Sequence, residues 1–438
     1  MELHEIQEHA RAEIAQRADE GADTGTLAAE LAHAESAGDR TVWFGLLARL
    51  QMDGYSPAEN PAEPDDLDTI RTRRADGPRC LPVDAAVLPD KMLGAYLGRI
   101  AGCILGKPVE GRPRAAIDRY LEAARLADLD GYFPRLDPWP EGFDTAWLEH
   151  PNIAGCLEGQ ITEAQRDDDI DYTILGLHLL ERHGAALTSD DVANAWLELL
   201  PYHQVYTAER VAYRNLVNLV RPPDSARLNN PYREWIGAQI RADAFGYVNA
   251  GKPERAADFA WRDARVSHVR NGIYGEMWSA ATIAAAFATD DVREALEIGL
   301  SEIPEHSRLA EAGRRTLSWS REYPTWDGCW ARAREDYGHL NWVHTINNAV
   351  WVMIGLLYGE KDFGRTIAIA VRCGDDTDCN GATAGSILGA MLGARAIPDA
   401  WTNPFHDRVR SYVTGFDGSR ITDLAARTLA QYERLRDV

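Results

Sequence analysis

The chain has 438 residues, 45% apolar and 26% charged, which suffices for one large globular domain or two to three ordinary ones. Acidic residues (68) outnumber basic ones (46), and a net charge of −22 argues against a general nucleic-acid binder or a protein docked on anionic lipid. No apolar run reaches the roughly 20 residues of a membrane span, and the opening MELHEIQEHARAEIAQ lacks the apolar region of a signal peptide. Six scattered cysteines (Cys80, Cys103, Cys156, Cys329, Cys373, Cys379) form no CxxC pair, so reduced thiols in a cytoplasmic protein are expected. Four lysines among the 46 basic residues, with abundant alanine, point to a GC-rich bacterial genome.

Apolar positions at three- and four-residue steps predict helices over 2–20, 24–37 and 40–51, with Leu27, Leu31, Trp43, Leu46, Leu47 and Leu50 on their apolar faces. The stretch SPAENPAEPDDLD (56–68) reads as a linker or surface loop, so residues 1–85 are expected to form a small N-terminal helical extension. A second unit, 86–438, opens with a helix over 90–106 that ends near Lys107-Pro108. An insertion at about 111–155 includes the aromatic, proline-rich and aperiodic segment 130–155, the character of an ordered loop over a site. Further helices are predicted at about 170–183, 190–199, 205–220, 231–248, 254–266, 271–287, 291–300, 306–319, 341–358, 361–371, 381–394 and 420–436. Alternating β-type runs are almost absent and no tandem repeat is visible, so the fold class is all-α.

Two of these helices carry glycine every fourth residue: Gly94, Gly98, Gly102, Gly106 and Gly381, Gly385, Gly389, Gly393. Each helical glycine costs about 1 kcal/mol relative to alanine, so the stripes need a compensating contact. Residues four apart share a helix face, and a flat glycine face admits another backbone. Lys91, Arg99 and Arg395 interrupt both segments and oppose a membrane reading of the stripes.

The acidic run Arg166-Asp167-Asp168-Asp169-Ile170-Asp171-Tyr172 opens a helix. One aspartate there serves as a cap, but three in succession exceed what a cap can use. A second oxygen-rich turn, Cys373-Gly374-Asp375-Asp376-Thr377-Asp378-Cys379-Asn380-Gly381, opens the later glycine helix. Asp376, Asp378, Asn380 and Gly381 match the first half of a calcium loop, but Ile387 stands where its bidentate glutamate belongs, which excludes that reading. Two acidic turns at helix N-termini can converge on hard cations such as Mg²⁺. In Gly106-Lys107-Pro108-Val109-Glu110-Gly111 a carboxylate follows the first glycine helix; an exposed loop glutamate is the ordinary alternative.

LGRIAGCILGKPVEG, RDDDIDYTILGLHLLERHG, NGIYGEMWSAATIAAAF and IAVRCGDDTDCNGATAGSILGAMLGARAIPDAW occur in that order. Together they resemble the ADP-ribosylglycohydrolase family over roughly residues 90–402. The last stretch is the most specific, with the turn Gly374 to Cys379, Gly381-Ala382-Thr383-Ala384-Gly385, and Ile397-Pro398 followed by Trp401. The resemblance implies an orthogonal all-α bundle with two Mg²⁺ ions (or Mn²⁺) in a central cleft. It implies hydrolysis of a glycosidic bond to ribose in ADP-ribosylated proteins or ribosyl small molecules. By the same resemblance Asp167, Asp168, Asp169, Asp376, Asp378 and Cys379 stand at metal positions and Glu110 at the catalytic acid/base, with Asp168 and Asp169 also part of the catalytic set. Asn271, Gly272, His344, Asn347 and Asn380 are expected at the substrate.

The chain departs from the family pattern in ways that bear on the site. Asp167 and Cys379 replace threonines, Cys103 replaces an aspartate, and Glu276 and Trp278 lie where an arginine is usual. Trp139, Phe143 and Trp147 in the insertion suit either packing or stacking against a flat ligand group. A same-fold glycosidase acting on a small nucleoside-like metabolite and a non-catalytic binding relative are the alternatives. The carboxylate cluster disfavours the latter, because like charges are costly without cations. A monomer or small homo-oligomer, with no nucleic-acid or membrane partner, completes the expectation.

Overall fold

Glycine at every fourth position lets two helices touch backbone to backbone, and the fold is organised around that contact. In this computed structural model, which describes residues 2–53 and 60–437, the first glycine helix (Leu88–Gly106) lies antiparallel to the second (Thr377–Leu392). Gly94 meets Gly389, Gly98 meets Gly385, Gly102 meets Gly381, and Gly106 meets Thr377. A methyl group at any of the four glycines of the first helix would fall within 3.0 Å of a backbone atom of the second. The stripe therefore fixes the register of the pair, and the register decides which loop ends meet.

At one end of this pair Thr377 Oγ1 donates to Gly106 O (2.8 Å), and the chain leaving the first helix pairs with the chain entering the second. The two-residue strands β1 (Arg112–Pro113) and β2 (Gly374–Asp375) match Arg112 with Asp375 and Pro113 with Gly374. Gly111 N donates to Asp375 O (2.9 Å). Gly374 (φ +85°) and Asp375 (φ +66°) both adopt the left-handed region, which a non-glycine residue enters only when held there. Arg334 Nη1 (2.7 Å), Trp351 Nε1 (2.9 Å) and Asn347 Nδ2 (3.1 Å) all donate to Asp375 Oδ2 and hold it.

The fold is all-α, its described residues forming no sheet beyond such two-residue ladders and single bridges, and one apolar core runs from Ile70 to Leu435. Helices α1 (Leu3–Asp19), α2 (Gly25–Ala37) and α3 (Arg40–Asp53) enclose a second, small core of Ile6, Ile14, Leu27, Trp43, Leu46, Leu47 and Leu50 with Ala10 and Ala34. Residues 56–59 of the expected linker lie outside the described residues. Its remainder is pinned to the main body: Arg308 pairs with the buried Glu63 (2.9 Å), and Arg270 N donates to Asp65 Oδ1 (2.8 Å).

One expected helix is shorter than predicted, and two helices of more than ten residues were not expected. Residues 231–238 are turns, with a 3₁₀ turn at Gln239–Arg241 and a helix only at Asp243–Val248. Here the backbone pairs outward, Ile236 N to Val343 O (2.9 Å) and Thr345 N to Glu234 O (3.1 Å), while Arg233 and Glu234 turn into the protein. Helix Arg114–Ala124 occupies part of the insertion, and Trp326–Tyr337 forms a helix where none was predicted. In the latter, Trp326, Trp330, Ala333 and Tyr337 carry the helical spacing that marks the inner face.

Candidate metal centre

The acidic run becomes a helix N-terminus because Asp167 caps it. Its Oδ1 accepts from Asp169 N (3.0 Å), and helix Asp168–His183 follows. This end meets the late turn directly. Cys379 Sγ donates to Asp169 Oδ2 (3.2 Å), joining positions 210 residues apart. Asp169, Asp378 and Cys379 offer ligand atoms within 4.8 Å of one another, as do Glu110, Asp376 and Asp378, and as do Cys103, Asp167 and Asp169. Glu110, Asp167, Asp168, Asp169, Asp376, Asp378 and Cys379 all line one cavity of about 1330 Å³.

Two buried cations lie among the acids. Arg99 Nη2 donates to Asp169 Oδ1 (2.7 Å) and to the carbonyls of Asp169 and Ile240, so it holds Asp169 from beneath. Lys107 Nζ donates to Asp167 Oδ2 and to Arg166 O, each at 2.5 Å. Sequence reading placed neither beside the acids, although Arg99, Cys103 and Lys107 repeat every four positions one step beyond the glycine stripe. Arg166 is spent on Asp171 (2.7 Å), whose Oδ1 accepts from Ser411 Oγ (2.6 Å), so the last aspartate of the run is structural.

Packing this many carboxylates together distorts their proton affinities. Burial, then Asp378 and Asp167, pushes the Glu110 carboxyl well above its ordinary range. Burial and Asp167 raise Asp168 to about 8 and Asp378 to about 6. Asp169 and Asp376 rise strongly too, each through burial first. Burial works against the Asp167 carboxylate as well, but Lys107 and Arg166 outweigh it and keep its pKa low. Burial and the charge of Asp169 keep Cys379 a neutral thiol. Asp378 Oδ1 is buried and has no hydrogen-bond partner among the described residues. An unpaired carboxylate oxygen ringed by other carboxylates suits a hard divalent cation.

The residues expected at the substrate sit elsewhere. Asn271 is fully buried: its Nδ2 donates to Glu234 Oε1 (2.9 Å) and its Oδ1 accepts from Leu309 N (3.0 Å). Gly272 packs against Arg233 O and His268. His344 caps helix Thr345–Tyr358 through Nδ1, which accepts from Ile346 N (3.2 Å). Asn347 serves Asp375, and Asn380 Nδ2 donates to Asn348 Oδ1 (2.8 Å), the atom that also accepts from Asp376 N (3.3 Å). None of these five lines the cavity; Asn347 and Asn380 brace the late turn from behind. Helix spacing predicts their shared faces but not which side the cavity occupies. Of the insertion aromatics, Trp147 lines the cavity, whereas Trp139 and Phe143 pack around Tyr120. Glu276 and Trp278 are buried, Glu276 lying 3.5 Å from Arg241.

The rest of the cavity wall is mixed. Trp147, Tyr206, Trp235, Trp342 and Tyr412 give it flat apolar surface, and Glu8, Arg11, Ala12 and Ala15 of α1 form one edge. Arg233 fixes α1 there through Glu20 (2.7 Å) and Glu13 (2.8 Å), and Gln16 Nε2 donates to Glu234 Oε2 (2.7 Å). No helix among the described residues is long and apolar enough to cross a membrane.

A family model described as ADP-ribosylglycohydrolase matches residues 84–437. A solved structure of an ADP-ribosylglycohydrolase-related protein complex is similar at 20% identity, covering 80% of this chain and 99% of that one with a TM-score of 0.48. No curated protein matches the sequence. The matched span holds both glycine stripes, both acidic turns and Glu110, and leaves α1–α3 outside; the chain belongs to the ADP-ribosylglycohydrolase family.

Proposed function

We propose that the chain is a divalent-cation-dependent hydrolase that cleaves an N- or O-glycosidic bond to ribose, with ADP-ribosylated molecules as substrates. One observation carries this reading: six carboxylates from three chain segments meet at a single cavity, and a buried oxygen of Asp378 there has no hydrogen-bond partner among the described residues. Asp168, Asp169, Asp376 and Asp378 would hold the cation, Mg²⁺ or Mn²⁺, with Cys379 beside them as a neutral thiol. When bound, the cation would orient ribose hydroxyls and acidify nearby water.

Glu110 is the proton carrier in this scheme. Burial, the largest influence on its carboxyl, favours the protonated form, from which it can donate to the atom leaving C1 as positive charge develops on the sugar. Arg99 holds the Asp169 carboxylate still, and the β1–β2 pairing holds Glu110 against the late turn, so neither group must reorganise during the reaction. The aromatic residues of the wall offer stacking surface for a base.

A second reading, a same-fold glycosidase for a small ribosylated molecule, draws support from α1. Its residues edge the cavity, so a protein-borne acceptor must pass them while a small one need not. The six free thiols suit a cytoplasmic setting. Purified protein titrated with Mg²⁺ and Mn²⁺ tests these readings, following melting temperature and release of ADP-ribose from arginine- and serine-modified peptides and from free ADP-ribosylated compounds. Cation stabilisation with release from peptides supports the first reading, and release from the free compounds alone supports the second. Absence of any cation response refutes both.

A further inference from the structure

In the Cys103, Asp167 and Asp169 group every carboxylate oxygen is already spoken for, whereas each of the other two groups contains one that is not. Both carboxylate oxygens of Asp167 accept hydrogen bonds, one from Asp169 N and one from the Lys107 ammonium. Both oxygens of Asp169 are engaged too, by Arg99 and by the Cys379 thiol. The third member, Cys103, is a thiol, a poor partner for a hard cation. The other two groups share Asp378, whose buried Oδ1 has no partner among the described residues. The centre is thus asymmetric, with its free ligand atoms on the Asp378 side and a fixed cation on the Asp167 side.

Lys107 itself has nowhere else to go. It is 4% exposed, it lines the same cavity, and its ammonium has the Arg166 carbonyl and the Asp167 carboxylate as partners. A buried ammonium is stable only when paired in this way, and a second cation brought beside it would meet a like charge in a poorly screened site.

Building on the cation-dependent reading above, we propose that Lys107 is a built-in cation occupying one of the two positions implied for the centre. The chain then takes up a single divalent ion, on the Asp378 side. Asp167, at a position that the resemblance gives to a neutral threonine, is the carboxylate that this ammonium neutralises. Lys107 is therefore a positioning residue: it acts through Asp167 and through the placing of the one remaining ion.

Mn²⁺ binding to the full-length protein, stripped with chelator, tests this by equilibrium dialysis and by electron paramagnetic resonance. The expected result is one Mn²⁺ per chain with the six-line spectrum of an isolated ion. Lys107→Met, which keeps the stem and removes the charge, should take up two Mn²⁺ per chain and show the exchange-coupled spectrum of a pair. Lys107→Arg should stay at one. Two coupled ions in the unaltered protein would overturn the inference while leaving the cation-dependent reading intact, and that measurement stands even if the Met variant does not fold. A folded Lys107→Met protein that still takes up one ion would overturn the role given to Lys107. No uptake at all by the unaltered protein would overturn the cation-dependent reading, and this inference with it.

Discussion

Replacing Gly102 by alanine perturbs the register of the two glycine helices at the contact nearest the acidic centre after Gly106. The added Cβ would lie 2.8 Å from Ala382 N and closer still to the carbonyl of Gly381, where ordinary contact begins near 3.4 Å. Both obstacles are backbone, so no rotamer change relieves them and the helices must part by more than about half an ångström. Overpacking of this kind costs roughly 1–3 kcal/mol or more, and alanine returns about 1 kcal/mol of helix propensity. Because the obstacle is backbone, the upper end of that cost applies, and we expect a net loss of about 2 kcal/mol. Over a chain of this length, at about 2.1 cal/mol/K of unfolding entropy per residue, that lowers Tm by about 2 °C. Differential scanning calorimetry resolves such a shift. Mn²⁺ affinity should fall with it, about tenfold or more, because Arg99, which holds Asp169, stands on the first helix of the pair while Asp376 and Asp378 stand at the start of the second. Gly45→Ala is the matched control: this glycine also lies in a helix, α3, but its added Cβ would meet nothing within 4 Å. It should be neutral or gain up to about 1 kcal/mol. If Gly102→Ala melts and binds Mn²⁺ as Gly45→Ala does, close backbone contact is not what sets the register.

Glu110→Gln should lower turnover by roughly 10²–10⁴-fold, the range for a lost proton donor, while calorimetric Mn²⁺ affinity stays within a few-fold; equal loss of both would give Glu110 to the cation instead. Metal-free stability should depend on pH in a definite direction. Asp378 and Asp168 are raised to about 6 and about 8 by burial and Asp167, against 3.8 ordinarily, so their contribution is full below about pH 4 and is lost as pH rises through those values. The Tm in chelator should therefore fall between pH 5 and pH 8.5, saturating Mg²⁺ should remove the fall, and a metal-free Tm that climbs over that interval would refute the clustering. Arg233→Ala leaves Glu20 buried without its cation and Glu13 with Arg17 alone, at a cost of about 3–5 kcal/mol. Limited proteolysis should then release α1–α3 much faster than from the unaltered protein, and an unchanged digestion pattern would mean that this pair does not anchor the unit.

The glycine stripes and both acidic turns were legible in the sequence because each is a local pattern with a physical cost that demands a partner. Four glycines in one helix imply a close backbone contact, and consecutive aspartates imply something that offsets their repulsion. That the two devices cooperate follows only from the antiparallel register, which places Gly106 against Thr377 and so Glu110 beside the late turn. Arg99 and Lys107 were harder to find, since an isolated basic residue on an apolar helix usually reaches for solvent. Their four-residue spacing through Cys103 was the available sign. The turn at 231–238 defeated periodicity because Arg233 and Glu234 point inward to partners far away in sequence, and no pattern within the segment names Glu13, Glu20 or Arg308. For His344 and Asn271, chemistry suggested a ligand where burial assigns a helix cap and a buried amide network.

The placement of α1 along the cavity edge separates two properties that many enzymes keep in one piece of chain. The clustered acids lie inside the family-matched span, whereas part of the wall of their cavity is supplied by residues before it. Changes at Glu8, Arg11, Ala12 or Ala15 can therefore alter which molecules are admitted while the acids beneath stay untouched. Selectivity in this protein is free to drift on its own.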